Sequence, residues 1–363
     1  MTTTSVLPPA SLQDITVLWL NEALAPHLVQ KRTSVVSCAV EPIDESSGGT
    51  GIYGMVSIEY ESSDAALPAK LFAKIYRHSE HVPLPAAQYR TEVAFYQHLG
   101  NNSGVRVPDM MYGGFDAATG RAGMLMQDMS AHRPGDTTIG CSLDDAKAVV
   151  NAAADLHARW WRNPEIDSLD WLFDISAIFA SVRTASLSDV IRTGRIVQYV
   201  PPGSYGAAVA RALAEEDQHL IGPPVDPTTL IHGDYRLDNI FFDDTKTPTQ
   251  PIVFDWGIIA PGNAALDLAC FLTTAVDSLT LDAEIALLDG YLGLLSIAAH
   301  KYEMDQLMKD YRIAVLQIYH RRLNSVTHSY DLPIESPLNQ MRVKALERSL
   351  AAIERHQCLD LLA

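Results

Sequence analysis

His232-Gly233-Asp234-Tyr235-Arg236-Leu237-Asp238-Asn239 and, downstream, Ile252-Val253-Phe254-Asp255-Trp256-Gly257 are the stretches that decide the fold. Leu230-Ile231 leads into the first and Ile240-Phe241-Phe242 follows it, so a polar loop sits between apolar, strand-like runs. Asp234 and Asn239 are spaced for a carboxylate that accepts a substrate proton and an amide oxygen that binds magnesium. In the second stretch a hydrophobic strand delivers one acid, Asp255, to a turn. A hard divalent cation takes oxygen ligands and keeps several waters, so Asp255, Asn239 and phosphate oxygens would satisfy it. The plainer alternative is two Asp-Gly-type loops with capping roles.

Working towards the N-terminus, Gly49-Thr50-Gly51-Ile52-Tyr53-Gly54 fits G-x-G-x-x-G, and Val56 completes the longer kinase form. Glycines let backbone N–H groups approach phosphates, although a glycine-bearing hairpin turn has the same composition. Dinucleotide binding would need a helix directly after the glycines, and an alternating strand follows instead. Lys74 lies in the strand-like run Leu71-Phe72-Ala73-Lys74-Ile75-Tyr76, where a lysine either snorkels outward or reaches a ligand. Glu92, on the next helix, either holds Lys74 against nucleotide phosphates or lies on a solvated face.

The rest of the chain divides by periodicity. Ser11-Leu12-Gln13-Asp14 resembles a capping box and opens a helical pattern to about Leu28. Strands are expected at Val35-Val40, Met55-Tyr60, Leu71-Tyr76, Met111-Phe115 and Ala122-Met126, interrupted by a helix from Pro85 to Gly100. From Gln127 onward the pattern is mainly helical. Ser142 and Asp145 cap a helix to about Trp161, and further helical patterns cover Ile175-Val200, Gly206-Leu220 and Asp282-Gln357. Short strand-like pieces stand at Thr229-Ile231 and Ile252-Phe254. Sheet followed by helices suggests two lobes with a cleft between them.

Composition narrows the function classes. The 363 residues are 47% hydrophobic and 20% charged, with a formal net charge of -17. That charge argues against a nucleic-acid partner, which needs clustered Lys and Arg. Cys38, Cys141, Cys270 and Cys358 form no CxxC pair, which supports neither a zinc site nor a disulfide framework and fits a cytoplasmic setting. No segment reads as membrane-spanning or as a secretory leader. His157 reads as a hydrogen-bonded core histidine.

Taken in order, these motifs resemble the aminoglycoside phosphotransferase and choline kinase superfamily, relatives of the protein kinases that act on small molecules. The resemblance runs from about Ser34 into the C-terminal helices and is most specific at His232 to Asn239 with Asp255. It implies an α+β, protein-kinase-like bilobal fold. A small mixed-sheet lobe, residues 1–127, would bind the nucleotide; a mainly helical lobe, residues 128–363, would carry catalysis and substrate. The implied cofactors are ATP and magnesium. Asp234 would be the catalytic base, Asn239 and Asp255 the metal ligands, and Lys74 with Glu92 the phosphate anchor. Gly49, Gly51 and Gly54 would cover the phosphates. Met126-Gln127-Asp128-Met129 resembles the interlobe hinge, with Gln127 and Met129 meeting the adenine edge.

Asp267 matches an acidic position that supports the catalytic loop, and Arg236 either reaches the transferring phosphate or pairs with a nearby acid. Gly233 stands where most protein kinases carry arginine, so control by activation-loop phosphorylation is not expected. The expected activity is phosphorylation of a hydroxyl group on a small molecule. The alternative from another class is a catalytically silent nucleotide-binding module that regulates a partner. A Ser/Thr protein kinase is disfavoured by the His-Gly-Asp form and by the lack of Ala-Pro-Glu after Asp255. The acidic balance favours a cationic acceptor. The long helical C-terminal portion is similar to the choline-kinase and ecdysteroid-kinase-like branches, which implies a bulkier neutral alcohol.

Overall fold

The computed structural model describes residues 6–43, 51–62, 66–76, 84–178, 191, 197–215, 226–295, 302–328, 333 and 335–362. The chain forms two compact units. The first comprises Met1–Asn102, Arg106–His132 and Phe254–Gly257; the second comprises Ser103–Val105, Arg133–Val253 and Ile258–Ala363.

In the first unit, the N-terminal pattern becomes a 3₁₀ turn, Leu12–Asp14, then helices α1 (Val17–Ala23) and α2 (Ala25–Lys31). A single helix was expected here. Pro26, in the first turn of α2, has no N–H to continue the ladder, so the helix restarts there. The Ser11–Asp14 capping box does form, and Thr16 caps α1 by accepting from Trp19 N.

Strands β1 (Val35–Ile43), β2 (Gly51–Tyr60), β3 (Lys70–Tyr76), β4 (Met110–Asp116) and β5 (Arg121–Gln127) form one sheet in the order β1-β2-β3-β5-β4. Every pairing in it is antiparallel, so the mixed sheet expected from the sequence is corrected to an antiparallel one. Short connections make neighbours of β1 and β2, of β2 and β3, and of β4 and β5, whereas α3 separates β3 from β4 and β5 lies between them. Helix α3 (Leu84–His98) lies between β3 and β4 in sequence, and Gly100 follows it at φ +47°.

Alternation along β3 fixes the environment of its lysine. Leu71, Ala73 and Ile75 join Leu20, Val56, Ile58 and Leu125 in the core cluster on one face. Each large side chain buried there contributes about 1.5–3 kcal/mol. Lys74 therefore points to the other face, towards α3.

The second unit opens with β6 (Arg133–Pro134) and α4 (Leu143–Trp160), whose N-cap Ser142 accepts from Asp145 N at 3.1 Å. There follow α5 (Tyr205–Glu215), β7 (Thr229–Ile231), β8 (Ile240–Asp243), β9 (Gln250–Val253) and β10 (Ala260–Gly262). Two small sheets, β6-β8-β9 and β10-β7, bracket the loop that carries Asp234. Helices α6 (Ala265–Ala275), α7 (Leu281–Leu295), α8 (Met304–His328) and α9 (Pro337–Arg355) complete it. Every residue of α6 is buried, as befits a largely apolar helix that other helices enclose. Most of the helical pattern expected at Ile175–Val200 lies outside the described residues. No described helix is long and apolar enough to cross a membrane.

Candidate active site

Two polar clusters, one in each unit, contain the charged residues singled out in the sequence. In the first unit Lys74 stands opposite Tyr53 of β2 and Met124 of β5, on the central strand of the sheet. Its Nζ donates to Glu92 Oε1 and Oε2, each at 2.8 Å, and to Asp255 Oδ1 at 2.8 Å. Tyr76 also donates to Glu92. Burial works against the Lys74 charge, but Asp255 and Glu92 outweigh it and hold the ammonium above its ordinary pKa. A buried lysine is thus kept charged and fixed in direction by three oxygen contacts.

Asp255 is held from beside. Trp256 is fully buried and stacks on Phe95 of α3 at a centroid distance of 4.1 Å, and Gly257 packs against the Gln88 backbone. Asp255 itself adopts φ +66°, a left-handed conformation costly for a non-glycine residue and typical of positions under functional constraint. Its side chain is 43% exposed while that of Lys74 is 11%. Asp255 is the accessible end of the cluster.

In the second unit the loop from Gly233 to Asn239 alternates. Gly233, Tyr235, Leu237 and Asn239 are buried, whereas Asp234, Arg236 and Asp238 are half-buried on the opposite side. The buried set anchors it: Tyr235 donates to Val149 O at 3.0 Å, and Asn239 Nδ2 donates to Asp234 O at 2.9 Å. With its nitrogen spent on Asp234, the polar atom left to Asn239 is the amide oxygen. Gly233 has φ +82°, and a Cβ there would stand 2.8 Å from Ile258 O, so no other residue fits.

Asp267, the one acid of α6, takes the loop's entry. It accepts from His232 N at 2.7 Å and from Gly233 N at 2.9 Å. His157 bridges Asp267 to Tyr291 from full burial, the core role expected of it.

Asp234 lies among arginines. Arg236 Nε donates to its Oδ2 at 3.0 Å, while Arg321 and Arg322 approach its Oδ1 at 3.5 Å and 3.6 Å. Burial alone would raise the Asp234 pKa; Arg236, Arg322 and Arg321 outweigh it and hold the carboxyl well below the usual range. Of the two readings for Arg236, the structure shows the acid pairing, since its Nη1 also donates to Asp238 at 3.0 Å. Arg321 and Arg322 were missed from sequence. Their signal was two adjacent charges in α8 among Ile318, Tyr319 and Leu323, all fully buried.

The remaining positions are less directly placed. Gly49 lies outside the described residues. Gly51 and Gly54 lie inside β2, and a Cβ at Gly54 would stand 2.8 Å from Leu12, so close packing already requires that glycine. At the end of β5, Gln127 N donates to Asp109 O at 2.7 Å and is engaged within the unit. Met129 O accepts from His132 N at 2.9 Å.

Known structures share this fold. A choline kinase from Cryptosporidium parvum Iowa II superposes with a TM-score of 0.57 at 13% identity, over 89% of this chain and 92% of that one. The microcompartment-associated aminopropanol kinase gives 0.53 at 17% identity, over 93% and 98%. Wild-type aminoglycoside 2'-phosphotransferase-IIIa, solved as a GDP complex, gives 0.54 at 12% identity, over 93% and 99%. At these identities the likeness is one of fold. Among curated protein sequences none matches. The model of the phosphotransferase enzyme family matches residues 60–304, more than half of the sequence, and the chain belongs to that family.

Proposed function

We propose that this chain transfers the terminal phosphoryl group of magnesium-bound ATP to a hydroxyl group of a small molecule. The observation that carries the reading is Lys74, buried and held charged by Glu92 and Asp255 at 2.8 Å. A lysine so fixed gives a nucleotide phosphate a directed positive charge at little ordering cost. The first unit would be the nucleotide-binding lobe, with Gly49, Gly51 and Gly54 over the phosphates and Met129 at the adenine edge, beside Gln127. The second would be the catalytic lobe.

Asp255, an accessible carboxylate, and the amide oxygen of Asn239 are each of the hard-oxygen kind that magnesium takes, and by the family resemblance they would be its ligands. When bound, the ion would neutralise charge on the phosphate oxygens. Asp234 orients the acceptor hydroxyl. The hydroxyl oxygen forms the bond to phosphorus, the bond to the nucleoside diphosphate breaks, and the proton passes to Asp234. With its pKa held low, Asp234 is too weak a base to ionise the alcohol beforehand, so the proton moves late, as a loose transition state allows. Asp267 keeps the loop in register, and Arg236 fixes the Asp234 carboxylate. The compartment suited to this activity is the cytoplasm, where ATP and magnesium are abundant.

The test is phosphate transfer from ATP, with GTP run beside it, to a mixed alcohol library read by mass spectrometry. One added phosphate on a small alcohol is expected. Label appearing only on protein serine or threonine, or on nothing, sinks the reading.

A further inference from the structure

We propose that Asp238 and Thr137 are positioning residues of the phosphoryl transfer, which aim the Asp234 carboxylate through Arg236. The inference rests on Asp234 being the group that receives the acceptor hydroxyl. It concerns the exit of the loop from Gly233 to Asn239, whose entry is held by Asp267.

Arg236 joins the two acids. Its Nε donates to Asp234 Oδ2 at 3.0 Å and its Nη1 to Asp238 Oδ2 at 3.0 Å, so one planar guanidinium spans an oxygen of each. A rigid fork transmits direction: where Asp238 fixes Nη1, the line of Nε towards Asp234 is fixed with it. Asp238 is in turn held by Thr137, in the segment between β6 and α4. Thr137 N donates to Asp238 Oδ1 at 3.2 Å, and Thr137 Oγ1 donates to Asp238 Oδ2. Both oxygens of Asp238 are engaged, so its carboxylate cannot rotate without losing a contact.

Thr137 is itself buried and anchored from behind. Its carbonyl accepts from Nη1 of Arg348 on α9, a buried residue that also donates to Thr274 O at 2.7 Å in the last turn of α6. The same guanidinium grips Asp277, just beyond α6, at 2.9 Å and 3.1 Å. Two residues before Thr137, Gly135 N donates to Ile240 O at 2.8 Å, and a Cβ at Gly135 would stand 2.1 Å from Leu237 O. The segment and the catalytic loop therefore meet backbone to backbone. Against this fixed support, the Arg236 and Asp238 side chains remain 21% and 27% exposed. An ion pair partly open to solvent adds little to stability, so its use here is direction.

The test compares Thr137→Val, which keeps the volume and loses the hydroxyl, with Thr137→Ser, which keeps the hydroxyl, and with Asp238→Asn. Transfer from Mg-ATP is followed to an alcohol that the parent phosphorylates. Thr137→Val should lower kcat about 3- to 10-fold and Asp238→Asn about 10- to 100-fold, as a misaimed base does. The KM for ATP and the magnesium requirement should move less than about twofold, and Thr137→Ser should stay near the parent. In an Asp234→Asn background neither substitution should lower kcat further, an outcome that a merely structural role would not give. Unchanged kcat, equal losses with and without Asp234, or a Thr137→Ser variant as impaired as Thr137→Val overturns the inference while sparing the phosphotransferase. A raised magnesium requirement would assign Asp238 to Asn239 instead and overturn it as well.

Thermal unfolding supplies a readout that needs no acceptor. The effects of Asp234→Asn and Asp238→Asn on the unfolding midpoint should fail to add by about 2 °C or more, and should add in an Arg236→Gln background. That coupling, found while no alcohol is ever phosphorylated, supports the relay and overturns the proposed reaction. Midpoint shifts that add with Arg236 in place overturn the relay.

Discussion

Lys74 and Asp255 are separated by 181 positions in the chain, yet Lys74 Nζ donates to Asp255 Oδ1 at 2.8 Å. Because Glu92 shares the same ammonium, the lysine has a structural role as well as the proposed nucleotide contact.

Lys74→Met should therefore do two things. It leaves the Glu92 carboxylate buried without its counter-charge, a loss of about 3–5 kcal/mol in stability, and it removes a phosphate contact of about 1.5–3 kcal/mol. The double variant Lys74→Met/Glu92→Gln should recover much of the stability and none of the Mg-ATP affinity. Thermal unfolding and calorimetry separate the two effects; ATP affinity returning in the double variant would remove Lys74 from the site.

Asp255→Ala should abolish turnover even at saturating ATP, because the charge on the phosphates is then left unneutralised. Trp256 remains stacked on Phe95, so the unfolding midpoint should fall little. A variant as active as the parent in excess magnesium would show the ligand to be another group.

Asp234→Asn should lower kcat by about 10²–10⁴-fold with little change in ATP affinity. The low pKa of Asp234 also has a sign. A carboxylate whose folded pKa is depressed stabilises the fold above its unfolded pKa of about 3.9, and that stability is lost as pH falls through the folded value. The acid limb of kcat/KM should accordingly lie below the range of an ordinary aspartate. An acid limb near pH 6 that persists in Asp234→Asn would point to a different base.

Glu284 of α7 is fully buried and joins three elements: it accepts from Tyr311 of α8, from Arg355 of α9 at 2.6 Å, and pairs with His356 at 2.9 Å. Burial raises its pKa, but His356 and Arg355 outweigh that and lower it. Its contribution is present above the ordinary glutamate range and is lost as pH drops below it. Glu284→Gln should destabilise the second unit by about 3–5 kcal/mol at neutral pH, with the gap to the parent closing in acid. Equal denaturation midpoints at neutral pH would show the network to be dispensable.

The loop at Asp234 was legible in sequence because its chemistry is local. Polar residues at 234, 236 and 238 alternate with Tyr235 and Leu237, and a two-residue period by itself assigns one side to the interior. The strands of the first sheet were legible for the same reason, and Ser142 marked the start of α4 through a contact within one turn. Pro26 was visible too, but the pattern of apolar positions around it hid the break it causes.

Tertiary structure alone decided the charge around Asp234. Arg321 and Arg322 come from 87 or more positions away, on a helix whose apolar periodicity says only that it packs. The net charge of the chain says nothing of this local grouping, because it sums surface acids that solvent screens and gives no weight to burial. Likewise the sequence supplied Lys74, Glu92 and Asp255 as candidates, but only folding could bring one ammonium within 2.8 Å of both acids. Period and capping are properties of neighbours along the chain, whereas a buried charge is defined by which distant groups replace its water.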